Sequence, residues 1–435
     1  LKTIVRPVRF DLQRVIINAI IHCMTKLITT QRAYQFRYYP TAEQVTALNQ
    51  YFGAARWVWN ACLAWRSHAY KVQNEKVTGV DFSRELTFLK TLESLAWLKA
   101  TPATVYAQVL RDQDKAFANF FAKRAKYPRF KKRTHAPAIR FALDHRVIKN
   151  NYCAGQLLKL PGLGVLNIRW SRLPTGIPKM ITVRRDSCGH YFVAFSCEET
   201  IAQLPANTNS TGIDVGLKDV IVTKQGYKSG NPRYLRRYQR RLKSAQRRLS
   251  RKQKGSHRWQ QQRVKVARIH AKIHNCRQDF LHKHTTQLVR QYGAISIEDL
   301  NIKGLVKNRH LAKSMHDAAL GELRRQFEYK TAWYGRDLFI ADRFAPTSKT
   351  CSKCKAVMSI MPLRIRYWIC PVCGAFHDRD VNAATEVEDY ATGGRPECYA
   401  HRGQQAPSAQ QLTLPGMLVP IEVRIKPARQ TDCHG

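Results

Sequence analysis

The segment GIDVGLKDVIV, residues 212–222, places Asp214 inside an apolar, alternating strand. Two other segments resemble it: AISIEDL, residues 294–300, ends an apolar strand at Glu298, and DRDVNAA, residues 378–384, opens a helix around Asp380. A single acid at a strand end is commonly a solvated edge or a helix cap. Three such acids in a chain with only 30 acidic residues predict one shared site, because clustered buried carboxylates are costly unless cations neutralise them.

Three converging carboxylates predict a particular metal chemistry. They can hold two Mg²⁺ ions about 3.5–4 Å apart, the arrangement that cleaves phosphodiester bonds by in-line attack. The residues alone therefore predict that Asp214, Glu298 and Asp380 bind two catalytic Mg²⁺ ions in a metal-dependent nuclease.

A second metal site is predicted by the spacing Cys351-x₂-Cys354-x₁₅-Cys370-x₂-Cys373. Two such CxxC pairs supply four thiolates for one tetrahedral Zn²⁺, and no coordination position stays open, so the zinc is structural. His377 is close enough to the second pair to compete with a cysteine, but four sulfurs already satisfy the ion. The other eight cysteines form no metal-binding pattern and are predicted to be core or surface thiols.

The net charge of the chain indicates which kind of partner it binds. The 435 residues include 74 Lys and Arg against 30 Asp and Glu, a net charge of +44 with a pI near 10.2. A chain this basic repels itself unless it meets a polyanion, so nucleic acid is the expected partner and a membrane surface is the rival. The apolar stretch 15–24 is too short to cross a bilayer, and twelve cysteines are too sparse for a disulfide scaffold, so we expect a cytoplasmic protein without a membrane partner.

The amino-terminal half begins with a predicted strand at residues 33–40. Thr41 and Gln44 form a capping box at the start of an amphipathic helix, and a second helix covers roughly 102–122. Eight Lys/Arg and no acid follow between Lys123 and Arg140, interleaved with aromatic residues. Such a run of charged residues is usually a solvent-exposed surface. The interleaved aromatic residues favour contacts with nucleic acid instead. The predicted contacts are Lys123, Arg124, Lys126, Arg129, Lys131 and Lys132.

Short alternating runs separated by turn residues occupy positions 138–200. This pattern is typical of a small antiparallel barrel or a sandwich. The polar linker QLPANTNST, residues 203–211, is the predicted domain boundary.

Residues 228–290 contain twenty Lys/Arg and one acid, yet their apolar positions step regularly by three and four. With a break at Lys254-Gly-Ser, the pattern predicts a helical hairpin with one apolar seam and a cationic exterior that binds phosphates. Its predicted phosphate-binding residues are Arg240, Arg241, Arg247 and Arg248.

Both ends of the chain fit this organisation poorly. Residues 1–30 are either a transit peptide or, as we favour, an upstream extension in front of a start at Met24. Residues 393–435, rich in Gly, Pro, Gln and Ala, are predicted to be a flexible tail, although LTLPGMLVPIEV could dock as a strand.

These motifs carry a resemblance. GIDVGLKDVIV, ISIEDLNIKGL, FEYKTAWYG, RFAPTSKTCSKC and CPVCGAFHDRDVNAA look like the TnpB (OrfB) proteins of insertion sequences, which are related to type V CRISPR effectors. YQFRYYPTAEQVTALNQYFGAARWVWNACL and NFFAKRAKYPRFKKR resemble the same family's amino-terminal half, so the likeness covers roughly residues 31–400. Lys355 stands where the family often has glycine, which leaves the turn of the first CxxC pair open.

The resemblance implies an RNA-guided DNA nuclease with a guide RNA and a target DNA as partners. It assigns Asp214, Glu298 and Asp380 to the catalytic acids, Asp380 rather than Asp378 because it directly precedes VNAA. It also implies a multidomain α/β chain with an RNase H-like (RuvC-type) core, an inserted zinc ribbon, a small antiparallel β-barrel and an amino-terminal helical domain. The expected boundaries are 1–30 (extension), 31–40 (first barrel strand), 41–137 (helical domain), 138–205 (barrel), 206–347 (core, with the hairpin at 233–290), 348–375 (zinc ribbon), 376–392 (core) and 393–435 (tail).

Two other functions remain open from the sequence. The three-acid core is also compatible with a transposase that joins strands rather than only cutting them. A non-catalytic zinc-ribbon regulator that binds nucleic acid is the other alternative, and its signature would be the loss of one of the three acids.

Overall fold

The structure is a computed structural model that describes residues 27–133, 136–143, 152–153, 155, 157–362, 364–393 and 423–424. The proposed start at Met24 and nearly all of the predicted tail lie outside the described residues. The chain divides into two compact units. The first unit comprises 29–200 and 245–268, and the second comprises 201–244 and the described residues from 269 onward, with 27–28.

The first unit combines helices with a five-stranded sheet in the order β2-β7-β8-β1-β6 and a three-stranded sheet β3-β4-β5. Its strands are β1 (Leu27–Tyr38), β2 (Ala138–Ala142), β3 (Tyr152–Cys153), β4 (Leu157–Leu160), β5 (Gly164–Val165), β6 (Ile168–Arg169), β7 (Ile177–Arg185) and β8 (Tyr191–Ala202). Its helices are α1 (Ala42–His68), α2 (Gly79–Leu89) and α3 (Ala103–Phe121), with a 3₁₀ helix at Glu93–Ala100.

Helix α1 begins where the sequence predicts. The Thr41 hydroxyl accepts the Gln44 N–H, and the Gln44 side chain accepts the Thr41 N–H, which confirms the capping box. Strand β1 begins at Leu27, so the predicted end of the extension at residue 30 lies inside this strand, because side-chain alternation continues through it.

Helices and sheet of the first unit share one hydrophobic core, in which Phe36, Phe141 and Phe195 pack with Leu48 and Leu98. The sequence predicts a helical domain and a barrel as separate bodies, whereas the structure clusters residues 29–200 into one unit. The physical reason is that each element is apolar on one side only, so the helices cover the sheet.

The second unit is built on a four-stranded sheet, β10-β9-β11-β12, in which β11 runs parallel to both β9 and β12 while β10 is antiparallel to β9. These strands are β9 (Ser210–Asp214), β10 (Val222–Thr223), β11 (Ala294–Glu298) and β12 (Asp337–Ala341). The helices that follow along the chain are α4 (Tyr234–Ser250), α5 (His257–Gln291), α6 (Ile302–Lys307), α7 (Ala312–Ala318), α8 (Leu320–Tyr334) and α9 (Arg379–Ala391). Residues 245–268 of α4 and α5 belong to the first unit.

Helices α4 and α5 occupy the positions predicted for the basic hairpin, with a loop at 251–256. The Gln262 side-chain amide donates to the Ala245 carbonyl at 3.0 Å and links the two helices. Leu242, Ala245 and Ile273 on the predicted apolar seam are buried.

Short strands complete the second unit: β13 (Val357–Met358), β14 (Tyr367–Ile369), β15 (Phe376–Asp378) and β16 (Val423–Arg424). Strand β14 pairs with β15, and β13 pairs antiparallel with β16, which belongs to the predicted tail. Val423, the first residue of β16, is the last residue of the apolar run LTLPGMLVPIEV, which the sequence allows to dock as a strand.

Candidate active site and metal centre

Two of the predicted acids lie at one edge of the parallel sheet. Asp214 is the last residue of β9 and Glu298 is the last residue of β11. The two strands pair in parallel register, with Ile213 opposite Ile297, so both carboxylates leave the sheet at the same level. The apolar run before Glu298 stops at its acid, as the sequence predicts. The sequence predicts Asp214 inside the strand, because Val215 and Leu217 continue the apolar run, whereas the structure ends β9 at Asp214.

The third acid, Asp380, lies in the first turn of α9, which packs directly on β9. Gly212 permits this close approach. A Cβ atom at Gly212 would lie 1.8 Å from the carbonyl oxygen of Ala384, one helical turn after Asp380, so no other residue fits without moving the backbone. Helix α9 therefore carries Asp380 to the sheet edge that holds Asp214.

Among the described residues, the three carboxylates do not form a group whose oxygen atoms all lie within 4.8 Å of one another, but the charges of Glu298 and Asp380 both act on Asp214. Burial raises the pKa of Asp214 well above its usual range, and the charges of Glu298 and Asp380 raise it further, whereas Arg379 and Arg366 oppose the shift. Burial likewise raises the pKa of Glu298, although a hydrogen bond donated by Thr347 at 2.8 Å opposes it. Divalent cations would relieve this repulsion, so the donor set suits hard, oxygen-binding ions such as Mg²⁺.

Asp378 and Asp380 differ in what they contact. Asp378 caps α9 by accepting the N–H of Asp380 at 3.0 Å, and it accepts a hydrogen bond from Lys228 at 2.6 Å. Burial raises the pKa of Asp378, but Lys228 and the backbone donors outweigh burial and lower it overall. Asp380 instead pairs with Arg366 at 3.1 Å and lies near enough to raise the pKa of Asp214. Asp378 is thus engaged as a cap, whereas Asp380 belongs to the acid cluster.

The four predicted zinc ligands form one group whose sulfur atoms all lie within 4.8 Å of one another. The Cys351 and Cys373 sulfurs are 3.7 Å apart, and those of Cys354 and Cys370 are 3.6 Å apart. A tetrahedral zinc with Zn–S bonds of about 2.3 Å needs sulfurs about 3.8 Å apart, so the group fits the ion. Burial raises the pKa of Cys351 to about 11, so a cation is required to hold all four sulfurs as thiolates.

Both CxxC pairs end in the same turn. The N–H of Lys355 donates to the Cys351 carbonyl and the N–H of Gly374 donates to the Cys370 carbonyl, each at 2.8 Å. Both residues are left-handed, with φ of 60° at Lys355 and 69° at Gly374. The turn that the sequence leaves open at Lys355 therefore has the geometry of its glycine counterpart.

Side chains around this turn join it to α9. The Lys355 ammonium pairs with Glu386 at 2.5 Å and with Asp389, both on α9. The buried side chain of Asn382 donates to the Thr350 carbonyl at 2.7 Å and accepts the Ser352 N–H at 2.9 Å, so it holds the backbone on both sides of Cys351.

His377, the predicted rival ligand, lies beside the sulfur group. Its Nε2 atom is 3.1 Å from the Cys351 sulfur, and its ring packs against Trp368 with centroids 4.7 Å apart. Burial lowers the pKa of His377, which favours a neutral ring that donates to the sulfur.

The basic segment after α3 divides by environment. Five of its six predicted nucleic-acid contacts are exposed: Lys123, Arg124, Lys126, Arg129 and Lys132. Lys131 differs, because its ammonium lies 3.9 Å above the Trp59 ring and burial lowers its pKa. The side chain of Asn60 hydrogen-bonds both backbone groups of Lys131 and fixes the segment along α1.

The four arginines predicted to bind phosphate all lie on α4: Arg240, Arg241, Arg247 and Arg248. The buried residues Leu242 and Ala245 occupy the apolar seam of the same helix, so the arginines lie outside the seam, as the sequence predicts. Each of the four is exposed.

Sequence reasoning misses three side chains at these sites: Thr347, Arg366 and Asn382. Thr347 and Asn382 lie within the motifs described above, but the sequence around them does not indicate what they contact. Asn382 bonds to a residue 32 positions away, and Thr347 bonds to a residue 49 positions away. A polar residue one turn into an apolar helix face is the one available hint for Asn382.

Comparison with known proteins gives a consistent picture. A family described as "Probable transposase" (OrfB of IS605) matches residues 194–309, a "Cas12f1-like, TNB domain" matches 321–387, and the "Helix-turn-helix domain" of OrfB matches 24–76. A Streptomyces pristinaespiralis protein named "Putative RNA-guided DNA endonuclease" is 45% identical over 359 residues, covering 82% of this chain and 88% of the relative. A second relative, "Putative RNA-guided DNA endonuclease InsQ" from Escherichia coli K12, is 31% identical over 372 residues, covering 82% of this chain and 91% of the relative.

Among solved structures, the protein of a Cas12f1–sgRNA–target DNA complex aligns with a TM-score of 0.50 at 12% identity, covering 82% of this chain and 98% of that protein. This likeness concerns the fold. Among the described helices, none is both long enough and apolar enough to span a bilayer.

Proposed function

Because this chain belongs to the OrfB (TnpB) family of insertion-sequence proteins, whose relatives are named RNA-guided DNA endonucleases, we propose that it is itself such an enzyme. In this proposal a guide RNA selects a target DNA by base pairing, and the protein cuts that DNA by Mg²⁺-dependent phosphodiester hydrolysis. The observation that carries it is the placement of Asp214 and Glu298 at the same edge of the sheet, with Asp380 on the helix packed against β9 and the charges of Glu298 and Asp380 both acting on the buried Asp214.

The proposed fold assignment is finer than the likeness to Cas12f1. We assign the second unit to an RNase H-like, RuvC-type core, because a parallel β9-β11-β12 sheet with an antiparallel β10 carries acids at its carboxyl edge. Residues 348–375 are assigned to an inserted zinc ribbon, and the sheets of the first unit to a small β-barrel. The support for the ribbon is its four-sulfur group and the paired turns at Lys355 and Gly374.

The mechanism follows from what each side chain does. Asp214, Glu298 and Asp380 would hold two divalent cations, which lower the pKa of a water nucleophile and offset the charge that develops on the phosphate. Thr347 orients Glu298 by donating to one of its oxygens, which leaves the other oxygen available. Arg366 holds Asp380 at the start of α9, and Gly212 keeps α9 on the sheet.

Zinc would be structural in this proposal. The four sulfurs fill a tetrahedral site, so no position remains for substrate. Asn382 and Lys355 tie the first CxxC turn to α9, so the ribbon would support the helix that carries Asp380.

The test uses pairs of neighbouring acids as matched variants. Glu298→Gln and Asp380→Asn should abolish cleavage of guide-complementary DNA while DNA binding persists. Asp299→Asn, at a residue paired with Arg324 and Arg343, should keep most activity. Asp378→Asn should also keep most activity, because asparagine retains the cap. Full cleavage by Glu298→Gln would refute the assignment.

RNA that co-purifies with the protein supplies the guide for this assay. Sequencing that RNA identifies the complementary target, and products that end in joined rather than free strands would favour a strand-transferring transposase. Intact DNA with the wild-type protein, with Mg²⁺ and guide present, would favour the non-catalytic alternative.

A further inference from the structure

A concave basic cavity lies in the first unit, apart from the acid cluster. It has a volume of about 610 Å³, and its walls are α1, the segments 131–133 and 136–138, and the end of β7. Among the described residues that line it, five are Lys or Arg and none is acidic. The cationic residues are Arg56, Lys131, Lys132, Arg133 and Arg185.

One wall of this cavity contains a glycine whose Cβ position is open among the described residues. Gly53 lies inside α1, where glycine is a poor helix former. A Cβ atom there would meet no heavy atom of the described residues within 4 Å, in contrast to Gly212, whose Cβ would collide with backbone. Packing against the part of the chain that the structure describes therefore gives no reason for glycine at position 53. A partner that approaches the helix closely gives one.

The cations are arranged around this glycine. Asn49 lies one turn before Gly53 and Arg56 one turn after it, so all three share a face of α1. The Arg185 guanidinium donates to the Asn49 side-chain oxygen at 2.8 Å, which holds it at the cavity wall. Positive charges gathered in a concavity repel one another, and a bound anion removes that cost.

We propose that this cavity is a subsite for the phosphodiester backbone of a nucleic-acid strand, with phosphate among Arg56, Arg133 and Arg185 and the sugar–phosphate chain against Gly53. Its volume is in the range of pockets that take a ligand of nucleotide size. The choice of a strand over a free nucleotide rests on the proposed function, and the net charge of +44 supports it. RNA and DNA offer the same phosphodiester chemistry, so the test has an arm for each.

The first experiment fills the cavity. Gly53→Leu places a side chain in open space and improves helix propensity, so its thermal midpoint should stay equal or rise. Its affinity should fall by about tenfold or more for single-stranded RNA, for duplex DNA, or for both, which identifies the strand that enters. Gln50→Leu, at an exposed position of the same helix that does not line the cavity, is the matched control and should bind as wild type.

The second experiment removes charge. Arg56→Gln with Arg133→Gln should flatten the slope of log affinity against log salt by roughly 0.9 per phosphate contact on duplex DNA, or about 0.7 on a single strand. Arg111→Gln with Lys115→Gln on α3 is the control pair for equal charge loss.

Phosphate contacts carry no sequence information, so both experiments use short RNA and DNA of unrelated sequence and need no cleavage. A protein that shows these losses but cuts nothing would overturn the proposed function and keep the cavity assignment. Wild-type affinity of Gly53→Leu for both nucleic acids, or an equal loss in Gln50→Leu, would overturn the cavity assignment whether or not the protein cuts.

Discussion

Replacing Gly212 with alanine tests whether the contact between β9 and α9 positions the acid cluster. The new Cβ would lie 1.8 Å from the Ala384 carbonyl oxygen, and real Cβ atoms essentially never come within 3.0 Å of another heavy atom, so the backbones must separate by about 1.2 Å. The obstructing atoms belong to backbone, so no rotamer change relieves the clash. Since Ala384 is one turn from Asp380, that acid moves away from Asp214.

We expect Gly212→Ala to lower the free energy of unfolding by about 1–3 kcal/mol, as overpacking does. A displacement of about 1 Å in a reacting group costs roughly 100-fold in rate, so single-turnover cleavage should slow by about that factor while DNA binding stays unchanged. Gly321→Ala on α8 is the matched control, because its Cβ would lie 3.7 Å from Ile302, an ordinary contact, and it should melt at or above the wild-type temperature. Wild-type stability and cleavage in Gly212→Ala would refute this reasoning.

Three further predictions follow from the charges and metal ligands. The pKa of Asp214 is raised in the folded state, so folding favours the protonated carboxyl. As pH rises from the usual titration range of aspartate towards this higher folded-state pKa, the metal-free protein should therefore lose stability. In EDTA at about pH 8, Asp214→Asn should therefore unfold at a higher temperature than wild type. Addition of Mg²⁺ should not raise the unfolding temperature of this variant. A lower unfolding temperature than wild type in EDTA would contradict the assignment. Cys370→Ser should lose zinc and speed amide exchange in the first turn of α9, and elemental analysis that finds stoichiometric zinc in the variant would exclude this. Glutamine at Arg240, Arg241, Arg247 and Arg248 of α4 should flatten the salt dependence of duplex binding by roughly 0.9 per lost phosphate contact, and an unchanged slope would make the hairpin a scaffold.

The parts of the site that the sequence predicts are those with local signals. Alternation with a period of two predicts both strands, and Glu298 lies where that signal ends. The sequence predicts Asp214 inside its strand, whereas β9 ends at this residue, at the carboxyl edge of the sheet. The CxxC spacing predicts the four-sulfur group for the same reason, since each pair forms its own turn. The capping box at Thr41 involves residues three apart and is fully local.

The parts that the sequence does not predict depend on distant contacts. A run of basic residues indicates exposed charge, yet Lys131 lies over Trp59, which precedes it by 72 positions. The helical and β segments of the first unit are each amphipathic, and nothing local indicates that they cover one another in a single core. From the sequence alone, Lys355 is unfavourable at a position where the related proteins often have glycine. The structure shows that its side chain forms an ion pair with Glu386 on α9, a partner 31 residues away.

The spread of the three acids along the chain has a consequence during protein synthesis. Asp214 and Asp380 are separated by 166 residues. A ribosome that adds about 5–20 residues per second needs roughly 8–33 seconds to cover that interval. The arginine-rich α4 and α5 are translated within it, so the nascent chain acquires its cationic hairpin before the acid cluster can assemble. Under the proposed function, a growing polypeptide would therefore present its RNA-binding hairpin near its site of translation before it could cut.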